Sequence, residues 1–185
     1  MGGKTKSKKK KPSVTVEPEK GTDLSPYEAM DLADEGQIMD ELEGKMSPED
    51  MEVFVYSFPD KTTGKEIVGL SWKGTKATWW ELNAQKLTKM TVTDKVKITQ
   101  GDGYVDVAVY AYDKKRAIGA WGMARGYTSM QTKTGATVDR FASAKAMSKA
   151  QRNALNQLFP SDLVAKIIQK LIKKGKVKTL TLLCV

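Results

Sequence analysis

The segment over residues 104–112 carries an apolar side chain at every second position. The four positions are Val105, Val107, Val109 and Ala111. Because successive side chains of a β-strand point to opposite faces of a sheet, this period of two predicts a strand with one buried face. Turn residues at 101–103 and 113–116 separate it from predicted strands at 95–99 and 117–127, so the three strands form an antiparallel meander.

The third predicted strand contains three glycines, Gly119, Gly122 and Gly126. Glycine weakens a strand, so its presence indicates a bend, a bulge or the close approach of another backbone. Strong curvature is the simpler interpretation, and the approach of a nucleic-acid backbone is the functional one.

A helical pattern over residues 138–159 follows the meander and stops at Pro160. Its small side chains recur at every fourth position, at Ala142, Ala146, Ala150 and Ala154. Weaker patterns predict a β-hairpin over 52–58 and 66–72, a short helix over 77–87, a polar loop over 130–137, and a final helix capped by Ser161-Asp162. The apolar residues 180–185 fit either a last strand or a subunit contact. Together these patterns predict an α+β fold in which a curved antiparallel β-meander is packed by the long helix.

Charge divides the chain into three segments. Residues 1–16 carry six lysines and no acids, residues 17–52 have a net charge of −11, and residues 53–185 have a net charge of +14, which sum to +9. The first segment is too poor in apolar residues to bury a core and is expected to be a disordered basic arm. The last is the basic α+β domain, and its charge points to a polyanion, with nucleic acid as the first candidate.

The acidic segment contains two helix-start signals, at Ser25-Pro26 and at Ser47-Pro48. Its apolar side is thin, so the sequence predicts an acidic helix that docks loosely on the basic domain. An ordinary solvated helix is the simpler interpretation. The alternatives are that the segment contacts another protein, or that it competes with nucleic acid for the basic face.

Composition excludes several classes of enzyme. The chain has no histidine and one cysteine, Cys184, so imidazole catalysis and histidine or cysteine metal sites are excluded. No phosphate-binding loop of the Gly-x-x-x-x-Gly-Lys-Ser/Thr type is present. Asp102, Asp106 and Asp113 are better explained as turn and strand residues than as a magnesium cluster. We expect neither enzymatic activity nor a cofactor or metal. The sequence also has no membrane span or secretory signal, so we expect an intracellular protein.

One face of the long predicted helix carries a row of polar and cationic side chains. Lys145, Lys149, Arg152 and Asn156 are spaced by four, three and four residues, so they project together. Such a row can follow a phosphate backbone, although a solvated helix face is the more common outcome for a lysine-rich stripe.

Aromatic residues within the basic domain are candidates for stacking on bases. Most large aromatic side chains are buried, so we expect most of these to belong to the core. Trp72 and Trp79 are the candidates for base stacking, since they lie next to Lys73 and Lys76 in the sequence.

The order of these elements resembles the single-strand annealing protein superfamily, which includes the Erf and RecT type phage recombinases and the eukaryotic Rad-type recombination mediators. The resemblance covers roughly residues 75–160. It rests on the strand at 104–112, on Ala117-Ile-Gly-Ala-Trp-Gly122, and on Ala144-Lys-Ala-Met-Ser-Lys-Ala-Gln-Arg-Asn-Ala-Leu155, which is similar to the basic helix of that superfamily. This helix has fewer arginines than the family often shows, and the acidic segment has no counterpart in it.

The resemblance implies a homo-oligomeric ring or filament that holds single-stranded DNA in a basic groove and anneals it without ATP, in recombination or repair. It places Arg152 at a DNA-contacting position, with Lys149 and Lys145 before it. It makes the turn Lys114-Lys115-Arg116 a secondary candidate near the groove. The location it implies is the cytoplasm or nucleoid of a host cell. The alternative function is a non-annealing protein that binds single-stranded DNA or RNA, such as a nucleoprotein.

Overall fold

A computed structural model describes residues 13–16, 25–48, 50–59, 63–132 and 135–182. In chain order its elements are β1 (Ser13–Val16), α1 (Pro26–Glu43), a 3₁₀ turn (Asp50–Glu52), β2 (Val55–Pro59), β3 (Glu66–Leu70), α2 (Trp72–Ala84), β4 (Met90–Gly101), β5 (Tyr104–Asp113), β6 (Ile118–Tyr127), β7 (Ser129–Thr132), β8 (Gly135–Val138), α3 (Ala142–Leu158), α4 (Ser161–Lys173) and β9 (Val177–Leu182). None of the helices in these ranges is both long and apolar enough to cross a membrane. The fold is α+β, as predicted.

The central sheet has the strand order β4-β5-β6, and both pairings are antiparallel. The meander predicted from the alternation in β5 is therefore confirmed. The four apolar side chains of that alternation are at most 2% exposed, so they form the buried face. Strand β4 is longer than the predicted strand at 95–99, and its register shifts between Val92 and Val96.

Helix α3 packs its alanine face on the buried side of this sheet. The four alanines are each at most 2% exposed. A Cβ atom placed on Gly122 of β6 would lie 2.0 Å from the carbonyl oxygen of Ala150, and one on Gly126 would lie 2.3 Å from the carbonyl oxygen of Ala142. These glycines thus permit close approach of α3 to β6, and the approach of a nucleic-acid backbone is not needed to explain them.

The predicted polar loop at 130–137 is wrong, because β7 and β8 form a two-stranded antiparallel hairpin. As Val138 belongs to β8, α3 begins at Ala142, later than the predicted start. The predicted cap of α4 at Ser161-Asp162 is wrong, because Ser161 is the first residue of the helix, the N-cap is Pro160, and no side chain caps it.

A second sheet has four strands in the order β1-β9-β2-β3. Strand β9 lies between β1 and β2 and is parallel to both. Part of the predicted disordered arm, residues 13–16, is therefore a strand, whereas residues 1–12 lie outside the described residues. The last strand covers Val177–Leu182, so the strand interpretation of 180–185 is correct for its first residues, and residues 183–185 are not described.

Capping residues determine where α1 and α2 begin. At the start of α1 the Ser25 hydroxyl accepts from the Glu28 N–H at 3.3 Å, and the Glu28 carboxylate accepts from the Ser25 N–H at 2.7 Å. The second predicted start, at Ser47-Pro48, leads only to the short 3₁₀ turn. Helix α2 begins at Trp72 and not at Ala77, because the Ser71 hydroxyl accepts from the Gly74 N–H at 3.1 Å.

Candidate nucleic-acid interface

The predicted row of cations on α3 faces the acidic helix α1. The Nζ atoms of Lys145 and Lys149 lie 3.6 Å and 2.8 Å from the Glu35 carboxylate. Lys149 and Arg152 in turn lie 3.6 Å and 2.5 Å from the Asp31 carboxylate. Because neighbouring cations share the same acids, these three side chains do project together, as their spacing predicts. In this conformation, however, they contact α1 and are not open to solvent.

Helix α2 adds a fourth cation to this surface. Lys76 pairs with Glu41 of α1 at 3.0 Å, and its Nζ atom lies 4.8 Å from the centre of the Trp72 ring. We call Lys76, Lys145, Lys149 and Arg152 the basic stripe. Four of the acids that face it, Asp31, Asp34, Glu35 and Glu41, belong to α1. A single helix therefore supplies a row of carboxylates to a row of cations. A fifth acid, Asp139, lies just before α3 and pairs with Lys145 at 2.5 Å, closer than Glu35 does.

The most deeply buried part of this contact is the pair formed by Asp34 and Arg152. Asp34 is 0% exposed and Arg152 is 8% exposed. Arg152 donates to the Asp34 carboxylate, which also accepts from the backbone N–H of Trp72 at 2.9 Å. Burial raises the pKa of Asp34, although the Arg152 charge and these hydrogen bonds oppose the shift. Asp34 thus belongs to the core of the fold as well as to the interface with α3.

The other predicted site residues on α2 and α3 are largely occupied. Trp72 is only 7% exposed, and the indole N–H of Trp79 donates to the Met90 carbonyl at 2.9 Å. Neither ring is therefore freely presented for base stacking in this conformation. Asn156 accepts from the Thr75 hydroxyl at 3.2 Å, and Lys73 is half-buried on α2.

The turn between β5 and β6 is mainly structural. Arg116 pairs with Asp113 at 2.5 Å and donates to the Leu158 carbonyl, which ties the turn to the end of α3. Lys115 donates to the Lys86 carbonyl at 2.6 Å, while Lys114 is exposed. Burial pushes the pKa of Asp113 upwards, but hydrogen bonds from Arg116 and from two backbone N–H groups outweigh it and lower the pKa.

A second basic surface lies on the side of the meander away from α3. The alternation that turns the β5 valines inwards turns Tyr104 and Tyr110 outwards, and their partners in the register are Tyr127 and Trp121 of β6. The same side carries three cations, Lys95, Lys97 and Arg125. We call Lys95, Lys97, Tyr104, Tyr110, Trp121 and Arg125 the outer face. This surface was not predicted from the sequence, although the alternation in residues 104–112 contains the signal.

Among the described residues, no cluster of three or more acidic or cysteine side chains is arranged to hold a metal ion. No protein-family model matches the chain, and no curated protein matches it significantly.

Proposed function

We propose that the protein binds single-stranded DNA and anneals complementary strands without ATP, as a homo-oligomer whose basic stripe contacts the phosphate backbone after α1 moves away. The observation that carries this proposal is the match between the row of cations and the row of carboxylates on α1. A surface that accepts one regular row of anions can accept another. The proposal assigns no catalytic step to the protein and implies an intracellular location.

The ion pairs of α1 differ in how strongly they hold the helix. The Glu41–Lys76 pair is 41% and 33% exposed, so it contributes no more than about 1 kcal/mol. Asp31 and Glu35 are 44% and 28% exposed, but their partners Lys149 and Arg152 are only 10% exposed, so these pairs are less screened by water. Among the α1 side chains that the structure describes, Ala29 and Ile38 are the apolar ones that are nearly fully buried. The buried Asp34–Arg152 pair is the main obstacle, and a DNA phosphate would replace Asp34 as the partner of Arg152.

A charge substitution in α1 tests the proposal. The double variant Asp31→Asn/Glu35→Gln removes two anions that face the stripe. Its control, Asp40→Asn/Glu43→Gln, removes the same charge from the same helix beside Lys45, away from the stripe. Annealing of labelled complementary oligonucleotides is measured without nucleotide across a salt series. We expect faster annealing for the first variant than for the control, and annealing that slows as salt rises.

Adding Lys145→Gln/Lys149→Gln to the first variant should remove the gain. Equal rates for the stripe-facing variant and its control would refute the role of the stripe. Tight binding of single strands with an unchanged annealing rate would instead support the alternative, a non-annealing DNA- or RNA-binding nucleoprotein. If the folded protein binds no single strand at low salt, both functions are wrong.

A further inference from the structure

The outer face combines exposed rings with cations on one side of a β-sheet. Trp121 is 39% exposed, and its ring centre lies 5.2 Å from that of Tyr110. Tyr127 and Met123, on the same side of β6, are 64% and 72% exposed. Burial explains most large aromatic side chains, but these lie at the surface of a sheet whose opposite side already forms the core.

Each cation of the outer face lies against a ring. Lys95 is 5.3 Å from the centre of Tyr110, Lys97 is 5.3 Å from that of Trp121, and Arg125 is 3.9 Å from that of Tyr104. Arg125 also forms a two-bond pair with Asp106, at 2.7 and 2.8 Å. In the described part of the chain, Lys95 and Lys97 have no carboxylate within 4.0 Å, unlike the cations of the basic stripe. The outer face therefore has an uncompensated charge of about +2 that is accessible while α1 stays in place.

We propose that the outer face is a second nucleic-acid site, on which the bases of a single strand stack on Trp121 and Tyr110 while Lys95 and Lys97 contact its phosphates. Single-stranded nucleic acid is the ligand that matches both features, because it presents aromatic faces and anions together along one chain. Sheet faces that display aromatic side chains stack bases in other nucleic-acid-binding folds.

The surroundings of these residues fit this ligand. A depression of about 490 Å³ lies on this side of the sheet, and Lys97, Met123 and Arg125 contribute to its lining. Its volume is in the range of small-ligand sites, so it has room for a base. The carboxylate of Asp106 on this face is already paired with Arg125. A second copy of the chain on this face would therefore have to remove Lys95 and Lys97 from water without that carboxylate to neutralise them, which is costly.

Two variants test the site in the otherwise intact chain. Trp121→Ala removes the ring, and its control is Trp80→Ala, since Trp80 on α2 is also exposed (69%) and lies outside the outer face. Lys95→Gln/Lys97→Gln removes the cations, and its control is Lys166→Gln/Lys173→Gln on α4. Binding is followed by fluorescence anisotropy with labelled oligo-dT, oligo-rU and a duplex, and circular dichroism verifies that each variant is folded.

We expect Trp121→Ala to weaken binding to single strands about tenfold, equivalent to ~1.4 kcal/mol, and to leave duplex binding unchanged because paired bases cannot stack on it. The lysine variant should reduce the slope of log affinity against log salt by about 1.4. The oligo-dT and oligo-rU arms distinguish DNA from RNA. Controls should bind as the unaltered protein does.

Normal binding by both outer-face variants would overturn the proposal, as would a fall no larger than that of the controls. If sedimentation shows that Trp121→Ala only dissociates an oligomer, the face is a contact between copies and the proposal is also overturned. This site does not depend on the basic stripe. If Trp121→Ala loses binding while the stripe variants anneal as the unaltered protein does, the stripe alone is refuted. If Trp121→Ala binds normally while the stripe variants change the annealing rate as expected, the outer face alone is refuted.

Discussion

Replacing Arg152 with alanine should destabilise the fold strongly. The substitution removes the cation that faces Asp34, whose carboxylate is fully buried, and leaves it with the Trp72 N–H as its remaining hydrogen bond. Removing one partner of a buried ion pair costs about 3–5 kcal/mol, because the other charge stays buried without compensation. Domains are typically stable by about 5–15 kcal/mol, so the loss would be a large part of the free energy of unfolding.

Urea unfolding of Arg152→Ala, Asp34→Ala and the double variant measures this effect as a double-mutant cycle. The double variant should lose less than the sum of the two single variants, with a coupling energy of about 1–3 kcal/mol. A loss below about 1 kcal/mol in Arg152→Ala, or additive losses in the double variant, would refute the assignment of a buried pair.

The pH dependence gives an independent check on the same pair. Because the pKa of Asp34 is raised in the folded state, the folded protein binds the proton more readily than the unfolded chain does. The free energy of unfolding therefore falls as the pH rises from 3.8, the ordinary pKa of the group, through its raised pKa in the folded protein. Without Arg152 the pKa rises further, so the deficit of Arg152→Ala should be larger at pH 7 than at pH 4. A deficit that does not depend on pH would contradict this.

Three other substitutions test the packing and the turn. Gly122→Ala should lower the Tm by roughly 2–12 °C, because its Cβ would meet the backbone of α3; an unchanged Tm would contradict the close approach. Gly36→Ala, inside α1 with nothing within 4 Å of a Cβ, should instead stabilise the protein by about 0.5–1 kcal/mol, measured by urea unfolding. Since the pKa of Asp113 is lowered, its contribution to stability is present above pH 3.8 and is lost as the pH falls through the lowered value. Asp113→Asn should therefore be less stable than the unaltered protein at pH 6 and should lose less on acidification; parallel pH profiles of the urea midpoint would contradict this.

The parts of the fold that could be predicted from the sequence depend on local periodicity. The valines of β5, the alanines of α3 and the capping box of α1 each carry a repeat or a spacing that specifies one structure. Strands β1 and β9 could not be predicted to pair, because the pairing joins short segments far apart in the chain. The hairpin of β7 and β8 has no apolar alternation and therefore looked like a loop.

The same limit applies to the candidate sites. The spacing of Lys145, Lys149 and Arg152 was enough to predict that they project together, since that depends on one helix. Whether α1 lies on these three cations depends on tertiary packing. Docking of the acidic helix on the basic domain was therefore only one of the interpretations that the sequence allowed. The outer face was missed because aromatic residues are usually buried. Assigning Tyr104 and Tyr110 to the side opposite the valines would have identified it.

The position of β9 has a consequence for synthesis of the protein. This strand lies between β1 and β2, yet it is made after every other described element. The ribosome adds about 160 residues between the end of β1 and the start of β9, which takes roughly 8–32 s at the usual rates of about 5–20 residues per second. During that interval β1 has no partner in the sheet, and one edge of β2 is unpaired. The four-stranded sheet is therefore completed only when the C-terminal strand emerges from the ribosome, and stalled chains that lack β9 should expose strand edges prone to aggregation.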